Sequence, residues 1–503
     1  MSNSKERFAR LVSRAKTFLF HNTTTRQTVA KNTVWLGIAI VVSRLIRAVL
    51  IIYVARLLGT EGYGVFSYAV SLAAFFAIFS DIGIVGILTR EVAKDPASLQ
   101  KHFVTGFVVK MALVLVSIIL IVGVAPFFTK IPAATPLLWL AALLIAFDGL
   151  RDLALAIPRA QEKMQVEAGF TILANVAITG IGLAAIFVEP TPGALFFGYV
   201  AGSGIGMAAA LWHLRQYFKG FFAHFDRTLI PRLFKEAWPF ALTGLLGVIM
   251  TNTDSVMLGW YMDASAVGLY GAALRVIQVF YFIPVVLSSS TFPVFSRFSE
   301  SEPARFRAAF ETVVTAAFVI SMPLALGGIL LSRGIIELVF GNAYLGAVLP
   351  FQILVLTAIT NFPSSFLING IFAYRRQHLF AFALGIGAIG NVILNVLLIP
   401  RFGIAGSAFA TLLAQFLSYG AMWYWMQKIN PFRVFRKLLR PAAATLGMAV
   451  LVFGLRSLGL NVIIICLSGA ALYFALLLLM KEPLLENVRI RNLVPKNEGQ
   501  SGS

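Results

Sequence analysis

Apolar residues run along this chain in blocks long enough to cross a bilayer, without the strict alternation of barrel strands. A hydrocarbon core needs roughly 20 apolar residues in a helix. Runs of that order lie near 32–56, 63–90, 103–125, 136–158, 166–188, 193–217, 237–262, 266–293, 308–331, 346–371, 379–399, 404–427, 440–456 and 461–480. In lipid the backbone must satisfy its own hydrogen bonds, so these spans are expected to be helices, about fourteen in all. The last two runs are the shortest, and only Arg456 to Asn461 separates them, so a single re-entrant pair is the alternative there.

Composition agrees with the pattern. Of 503 residues, 59% are hydrophobic and 12% charged, and the mean hydropathy is +0.86, which excludes a water-soluble globule with an ordinary surface. The net charge of +20 is unevenly placed. Lys5 to Lys31, Arg90, Lys94, Lys101, Arg159, Lys163, Arg215 to Lys235, Arg297, Arg305, Arg307, Arg375, Arg376, Lys428 to Arg440 and Lys481 to Lys496 fall in one set of connections. The other set holds Arg56, Lys130, Arg333, Arg401 and Arg456. By the positive-inside rule both termini are expected in the cytoplasm of a multi-pass protein of the cell (inner) membrane. Basic loops at anionic lipid account for the charge, and no nucleic-acid partner is expected.

The expected organisation is a basic tail (1–31), a six-helix lobe (32–218), a basic linker (219–236), a second six-helix lobe (237–427), a loop (428–439), two further helices (440–480) and a second tail (481–503). In the first tail Phe8, Leu11, Val12, Ala15, Phe18 and Leu19 recur at helical spacing among basic residues, the pattern of an interfacial amphipathic helix, with a solvated tail as the alternative. No secretory signal peptide is expected, because that segment lacks a continuous apolar core.

Several chemistries are excluded. The lone Cys466 offers neither a disulfide nor a thiolate metal site. The histidines show no His-Glu-x-x-His pairing, so no metal site and no cofactor are implied. Gly385-x-Gly387-x-x-Gly390 satisfies a dinucleotide pattern but lies in an apolar helix after no strand. It reads as close helix packing, as do Gly198, Gly202 and Gly206. Asn22-Thr23-Thr24 is a glycosylation sequon in a tail expected to be cytoplasmic, and no Walker A sequence is present. The short outer connections leave no room for a catalytic domain. An enzyme is not expected.

An internal repeat links the two halves. With an offset of 204, Gly64-Val-Phe66-Ser-Tyr-Ala69 falls on Gly268-Leu-Tyr270-Gly-Ala-Ala273, and a looser match pairs Asn175-Val176 with Asn391-Val392. Six helices per half give both the same orientation, so the expected axis runs along the membrane normal, with a cleft between two lobes.

The stretch Ala55-Arg56-Leu57-Leu58-Gly59-Thr60-Glu61-Gly62-Tyr63-Gly64-Val65-Phe66-Ser67 resembles the opening of the O-antigen type polysaccharide flippases, as do Asp81-Ile82-Gly83-Ile84 and Thr89-Arg90-Glu91. These belong to the multidrug/oligosaccharidyl-lipid/polysaccharide exporter superfamily, with the multidrug and toxin extruders and the lipid II flippases. Asn252-Thr253-Asp254 and the run from Asn395 through Pro400, Gly403 and Gly406 to Ala410 resemble later segments of the family, so the likeness covers most of residues 30–430. The resemblance implies the extruder-like fold, with two helices after the two lobes, and export of lipid-linked oligosaccharide by alternating access. A lipid II flippase or a multidrug exporter is the alternative within the superfamily.

Charges inside apolar runs are then the candidate sites, since each costs at least about 2.5 kcal/mol at mid-bilayer. Arg44 and Arg47 share a face of the first helix. Arg47 and Arg275 each lie nine residues from the outer end of a helix, ~13 Å deep at the helical rise, and Asp254 lies at a similar depth. Two arrangements are open. Asp254 pairs with Arg275, and Arg44 or Arg47 with Asp81, as neutral struts. Alternatively, the surplus of guanidiniums forms a cationic cavity for the diphosphate of a polyprenyl-linked sugar. The surplus favours the cavity, with Asn361 and Asn391 to meet the sugar or, as readily, to hydrogen-bond between helices, and a protonatable Asp81 or Asp254 to couple a proton or sodium ion. Asp148, Arg151 and Asp152 read as an ion-pair ladder, and Lys110 as a lysine snorkelling to the inner interface. The expected partners are a polyprenyl-diphosphate-linked glycan, membrane lipids, that coupling ion, and polysaccharide polymerase or ligase machinery.

Overall fold

The structure, a computed structural model, describes residues 25–289 and 291–484 and has no strand among the described residues. The amphipathic segment expected in the first tail lies outside them. The principal helices are α1 (Thr25–Ala77), α2 (Ile84–Lys94), α3 (Leu99–Ile119), α4 (Leu138–Ala160), α5 (Met164–Val188), α6 (Pro192–His213), α7 (Leu229–Tyr261) and α8 (Ala264–Phe280). After them come α9 (Phe282–Ser289), α10 (Phe292–Phe298), α11 (Pro303–Phe340), α12 (Val348–Val355), α13 (Thr357–Ala373), α14 (Gln377–Ile429), α15 (Leu439–Ser457) and α16 (Val462–Leu479). Local chemistry sets several starts. Thr191 accepts the Ala194 N–H ahead of Pro192, and Asn461 accepts the Ile463 N–H, each satisfying a donor the helix leaves unbonded.

By length and composition eleven of the described helices can cross a membrane, or twelve if the pair Asn342–Val355 and Thr357–Ala373, bent by 41°, counts as one span. The fourteen expected from hydropathy exceeds that count at α1 and α14, each a 53-residue element in which two helices meet at a kink marked by one non-helical glycine, Gly59 (φ 68°) and Gly403 (φ 55°). Hydropathy divides each into two apolar runs, and each kink falls between them. The final two runs form two separate helices, α15 and α16.

Contacts divide the chain into two compact units, Met1–Ala272 with Asn391–Ser407, and Ala273–Gly390 with Ala408–Ser503. These differ from the repeat-based lobes, because a contact-defined unit groups what packs together and a repeat groups what is related in sequence. The first unit has a mostly aliphatic core around Ile84, Leu88 and Leu153, with Phe103 at its aromatic edge. The second has an aromatic core around Phe295, Phe306, Phe310 and Phe366, and a smaller one where Met448, Val452 and Tyr473 join α15 and α16 to α11. Large apolar side chains such as Val450, Phe453, Leu467 and Leu479 stay exposed, as lipid-facing residues must.

Glycine controls the closest helix contacts. A Cβ at Gly198 would stand 2.3 Å from Gly182 Cα, and one at Gly202 would stand 2.3 Å from the Ile178 nitrogen, so α5 and α6 touch through the small-residue stripe. A reciprocal contact joins α1 to α8. A Cβ on Gly64 would fall 1.7 Å from the Ala264 carbonyl oxygen, and one on Gly268 would fall 2.0 Å from that of Thr60. Thr60 and Ala264 are 204 residues apart, as are Gly64 and Gly268, so repeat-related positions meet in the crossed manner of a two-fold relation.

Candidate functional site

Asp254 lies in α7 between Thr253 and Ser255, and it is 3% exposed. Its Oδ2 accepts a hydrogen bond from the Tyr270 hydroxyl at 2.5 Å. Its Oδ1 accepts from Asn391 Nδ2 at 3.0 Å and Asn395 Nδ2 at 2.7 Å. Asn391 and Asn395 are one helical turn apart and so face the same way. Ser407 Oγ then donates to Asn395 Oδ1 at 2.9 Å. Ser407 reaches Asn395 because α14 doubles back at Gly403, where a side chain would strain the positive φ, and because Gly406 lets the returning chain pass. A Cβ on Gly406 would stand 2.3 Å from the Leu398 carbonyl oxygen.

Of the two roles open to Asn391, the hydrogen bond between helices is present: it is 1% exposed and directs its amide at Asp254. Tyr270, Asn395 and Ser407 complete a set whose oxygens belong to a carboxylate, two amides, a phenol and a hydroxyl. Turning the two amides brings their oxygens inward. Such an all-oxygen set suits a hard cation, and the carboxylate alone suits a proton.

The expected arginines are placed as follows. Arg44 is exposed, and Arg47 is half-buried with its guanidinium 5.6 Å from the centre of the Tyr199 ring. Arg47 Nε is buried without a hydrogen-bond partner among the described residues. Both belong to the first compact unit, and Arg275, exposed and bonded to Gln278 Oε1 at 3.2 Å, belongs to the second. Asn361 also lies in the second unit, where it and Ser364 meet the Tyr419 hydroxyl.

Several other charges of the first unit form pairs. Lys110, fully buried, meets Asp81 Oδ2 at 3.3 Å. Asp81 Oδ1 accepts the N–H groups of Gly83 and Ile84 at 2.9 and 3.0 Å and so caps α2. This corrects two readings. Lys110 does not snorkel, and its ammonium is the ion-pair partner found for Asp81, a place the sequence reading gave to Arg44 or Arg47. The ladder on α4 is present: Arg151 meets Asp148 at 2.8 Å, and Arg159 joins Asp152 at 3.3 Å to Glu167 at 2.6 Å. Asp81, Lys110, Asp148, Arg151 and Asp152 share a cavity of about 400 Å³.

A second ionic cluster ties α2 to the start of α7. Arg90 pairs with Glu236, and Arg232 meets both Glu236 at 2.9 Å and Glu91 at 3.5 Å. Lys94, which donates to Glu91 at 2.9 Å, and Arg90 hold the Glu91 carboxyl below its usual range, against a smaller opposing effect of burial. With the glycine contact of α1 and α8, these residues fasten the α7–α8 hairpin to α1 and α2 at both ends.

The sequence profile of the family described as polysaccharide biosynthesis protein matches residues 29–299. A curated relative, the "Probable flippase AglR" of Haloferax volcanii, is 24% identical over 453 residues, covering 88% of this chain and 94% of the relative. The "Putative O-antigen transporter" of Shigella flexneri is 24% identical, covering 63% of this chain and 78% of the relative. Among solved structures, "Lipid II flippase MurJ, inward closed conformation" superposes with a TM-score of 0.73 at 18% identity, covering 89% of this chain and 99% of that one. At that identity the likeness is one of fold.

Proposed function

The chain belongs to the polysaccharide biosynthesis protein family, and from that premise we propose that it is a flippase carrying polyprenyl-diphosphate-linked oligosaccharide from the inner to the outer leaflet by alternating access. Both curated relatives described above are named for flipping or for O-antigen transport, which supports the reading. The observation that carries it is the pair Arg44 and Arg47, two guanidiniums three residues apart inside an apolar span, with Arg47 held against Tyr199. A carrier of organic cations has no use for fixed cations on its path, whereas a diphosphate is bound by guanidinium forks.

The sugar head cannot enter hydrocarbon without losing the solvation of its hydroxyls and diphosphate. Arg44 and Arg47 in the first unit, and by itself Arg275 in the second, each replace part of that solvation while the polyprenyl tail stays in lipid. Asp254, with Tyr270, Asn391, Asn395 and Ser407, is the coupling site for a proton or sodium ion. Binding there neutralises a buried carboxylate and changes the hydrogen bonds that join α7, α8 and α14. The termini lie in the cytoplasm of the cell membrane, and the flipped unit passes to polymerase or ligase enzymes on the far side. Transport, not bond chemistry, is the activity.

Arg47→Ala and Arg275→Ala test the cationic path. Both variants insert into the membrane normally and lose glycan export. Full export by both contradicts the assignment.

A further inference from the structure

Away from the arginines and Asp254, the segment after α6 forms a basic platform. The chain leaves His213 and crosses the bundle through Arg215–Phe218 and Phe221–His224. Its underside is aromatic: the Phe218 ring lies 5.3 Å from Phe103 and 5.2 Å from Phe107, and Phe221 stacks on Phe218 at 6.1 Å. Gln100 Nε2 donates to the Lys219 carbonyl at 2.6 Å and to that of Tyr217 at 3.3 Å, which pins the backbone from below. The opposite face presents Arg215, Gln216 and Lys219, all exposed.

Beside this face a cavity of about 770 Å³ is lined by Phe170, Trp212, His213, Arg215 and Lys219 among others. A smaller cavity of about 190 Å³ shares His213 and Gln216 and adds Lys163. Neither lining contains an acid. Of the nearby acids, Glu167 is taken by Arg159 at 2.6 Å, and Glu162 projects from the neighbouring turn. The Arg215 guanidinium lies 4.9 Å from the centre of the Trp212 ring, and Trp212 and Phe222 are 69% and 92% exposed.

We propose that this pocket binds the phosphate headgroup of an anionic phospholipid in the inner leaflet. A guanidinium and an ammonium on a pinned backbone match a phosphate ester in charge and donor geometry. The pocket opens at the end of a membrane span, where headgroups lie, and the exposed Trp212 indole in its wall, with the exposed Phe222 ring on the same segment, suits the interface above acyl chains. A soluble anion would use the cations and leave those rings in water. The site rests on the orientation with this end in the cytoplasm and is independent of the cargo.

The test is native mass spectrometry of the purified full-length protein titrated with phosphatidylglycerol or phosphatidylcholine of the same chains. The wild type retains the anionic lipid several-fold better. In Arg215→Ser/Lys219→Ser that preference falls to parity, and in the control Arg375→Ser/Arg376→Ser it persists. An undiminished preference in the first variant, or an equal loss in the control, overturns the site. Should the serine pair fail to fold, Lys219→Gln must lower the preference at least two-fold in the same titration. Glycerol phosphate in large excess leaves the lipid bound, and displacement would assign the pocket to a soluble phosphate and overturn the lipid assignment. Lipid retention is read without transport, so its failure is distinct from failure of the glycan reading.

Discussion

Asp254 and Asp81 are carboxylates of the same compact unit, yet their surroundings differ in kind. Asp254 is bonded by a phenol and two amides, groups that can turn and that carry further oxygens of their own. Asp81 is fixed on one side by the backbone N–H groups it caps and on the other by the Lys110 ammonium. A carboxylate among neutral, reorientable donors can take up a cation or proton with little disruption. One that caps a helix and compensates a buried lysine cannot. The contrast supports the proposal that Asp254 is the coupling site and Asp81 a structural ion pair, two roles the sequence left open for both.

The largest expected effect is on transport. Asp254→Asn keeps the size of the side chain and removes its charge, so glycan flipping in liposomes is expected to lose its dependence on an imposed proton or sodium gradient. Unchanged gradient dependence would move the coupling site elsewhere. Lys110→Met strands the Asp81 charge and is expected to destabilise the protein towards the lower end of about 3–5 kcal/mol, since Asp81 keeps some solvent contact. Thermal unfolding in detergent measures this, and adding Asp81→Asn should recover part of the loss. If the second change adds its own penalty in full, the two residues are not coupled.

Tyr270→Phe deletes one donor to Asp254 and is expected to cost about 1–3 kcal/mol, because a buried charge loses a hydrogen bond. It should also shift the ion dependence of transport, which a purely structural phenol would leave unmoved. The smallest effect is at the exposed loop before α7. Lys101, at 2.5 Å, and then Thr228 hold Asp226 down to about 2 from an ordinary 3.8. A depressed carboxylate contributes stability above the ordinary value and loses it as pH falls towards the folded one. Protection factors for exchange at residues 226–228, corrected for the intrinsic pH dependence of amide exchange, should therefore fall between about pH 4 and 2 and stay flat above pH 5.

The membrane helices were legible because about 20 apolar residues in sequence are themselves the structural signal. The α1–α8 contact was legible in part, since the repeat places Gly64 and Gly268 in register, and only the structure shows that they meet. Asp254 stood out as a charge in an apolar run. Its partners did not, because Asn391 and Asn395 lie 137 and 141 residues away and an asparagine in a membrane helix has many uses. Tyr270, 16 residues on, was hidden for a different reason: the α7–α8 hairpin brings it back, and hydropathy carries no information on hairpin register. The Asp81–Lys110 pair was misread because a lysine near a helix end ordinarily reaches for the interface. Asp81, at the end of the neighbouring span, gave it a nearer partner.

The activity on which these roles depend is movement of a lipid-linked glycan across the bilayer. Purified protein in liposomes carrying a defined polyprenyl-diphosphate oligosaccharide on one leaflet tests it most directly, with exposure on the other leaflet read by a sugar-specific probe. The expected result is protein-dependent appearance of the glycan on the opposite leaflet, lost in Arg47→Ala. Glycan that stays on its original leaflet with the wild type, in vesicles where the protein is correctly inserted, would contradict it.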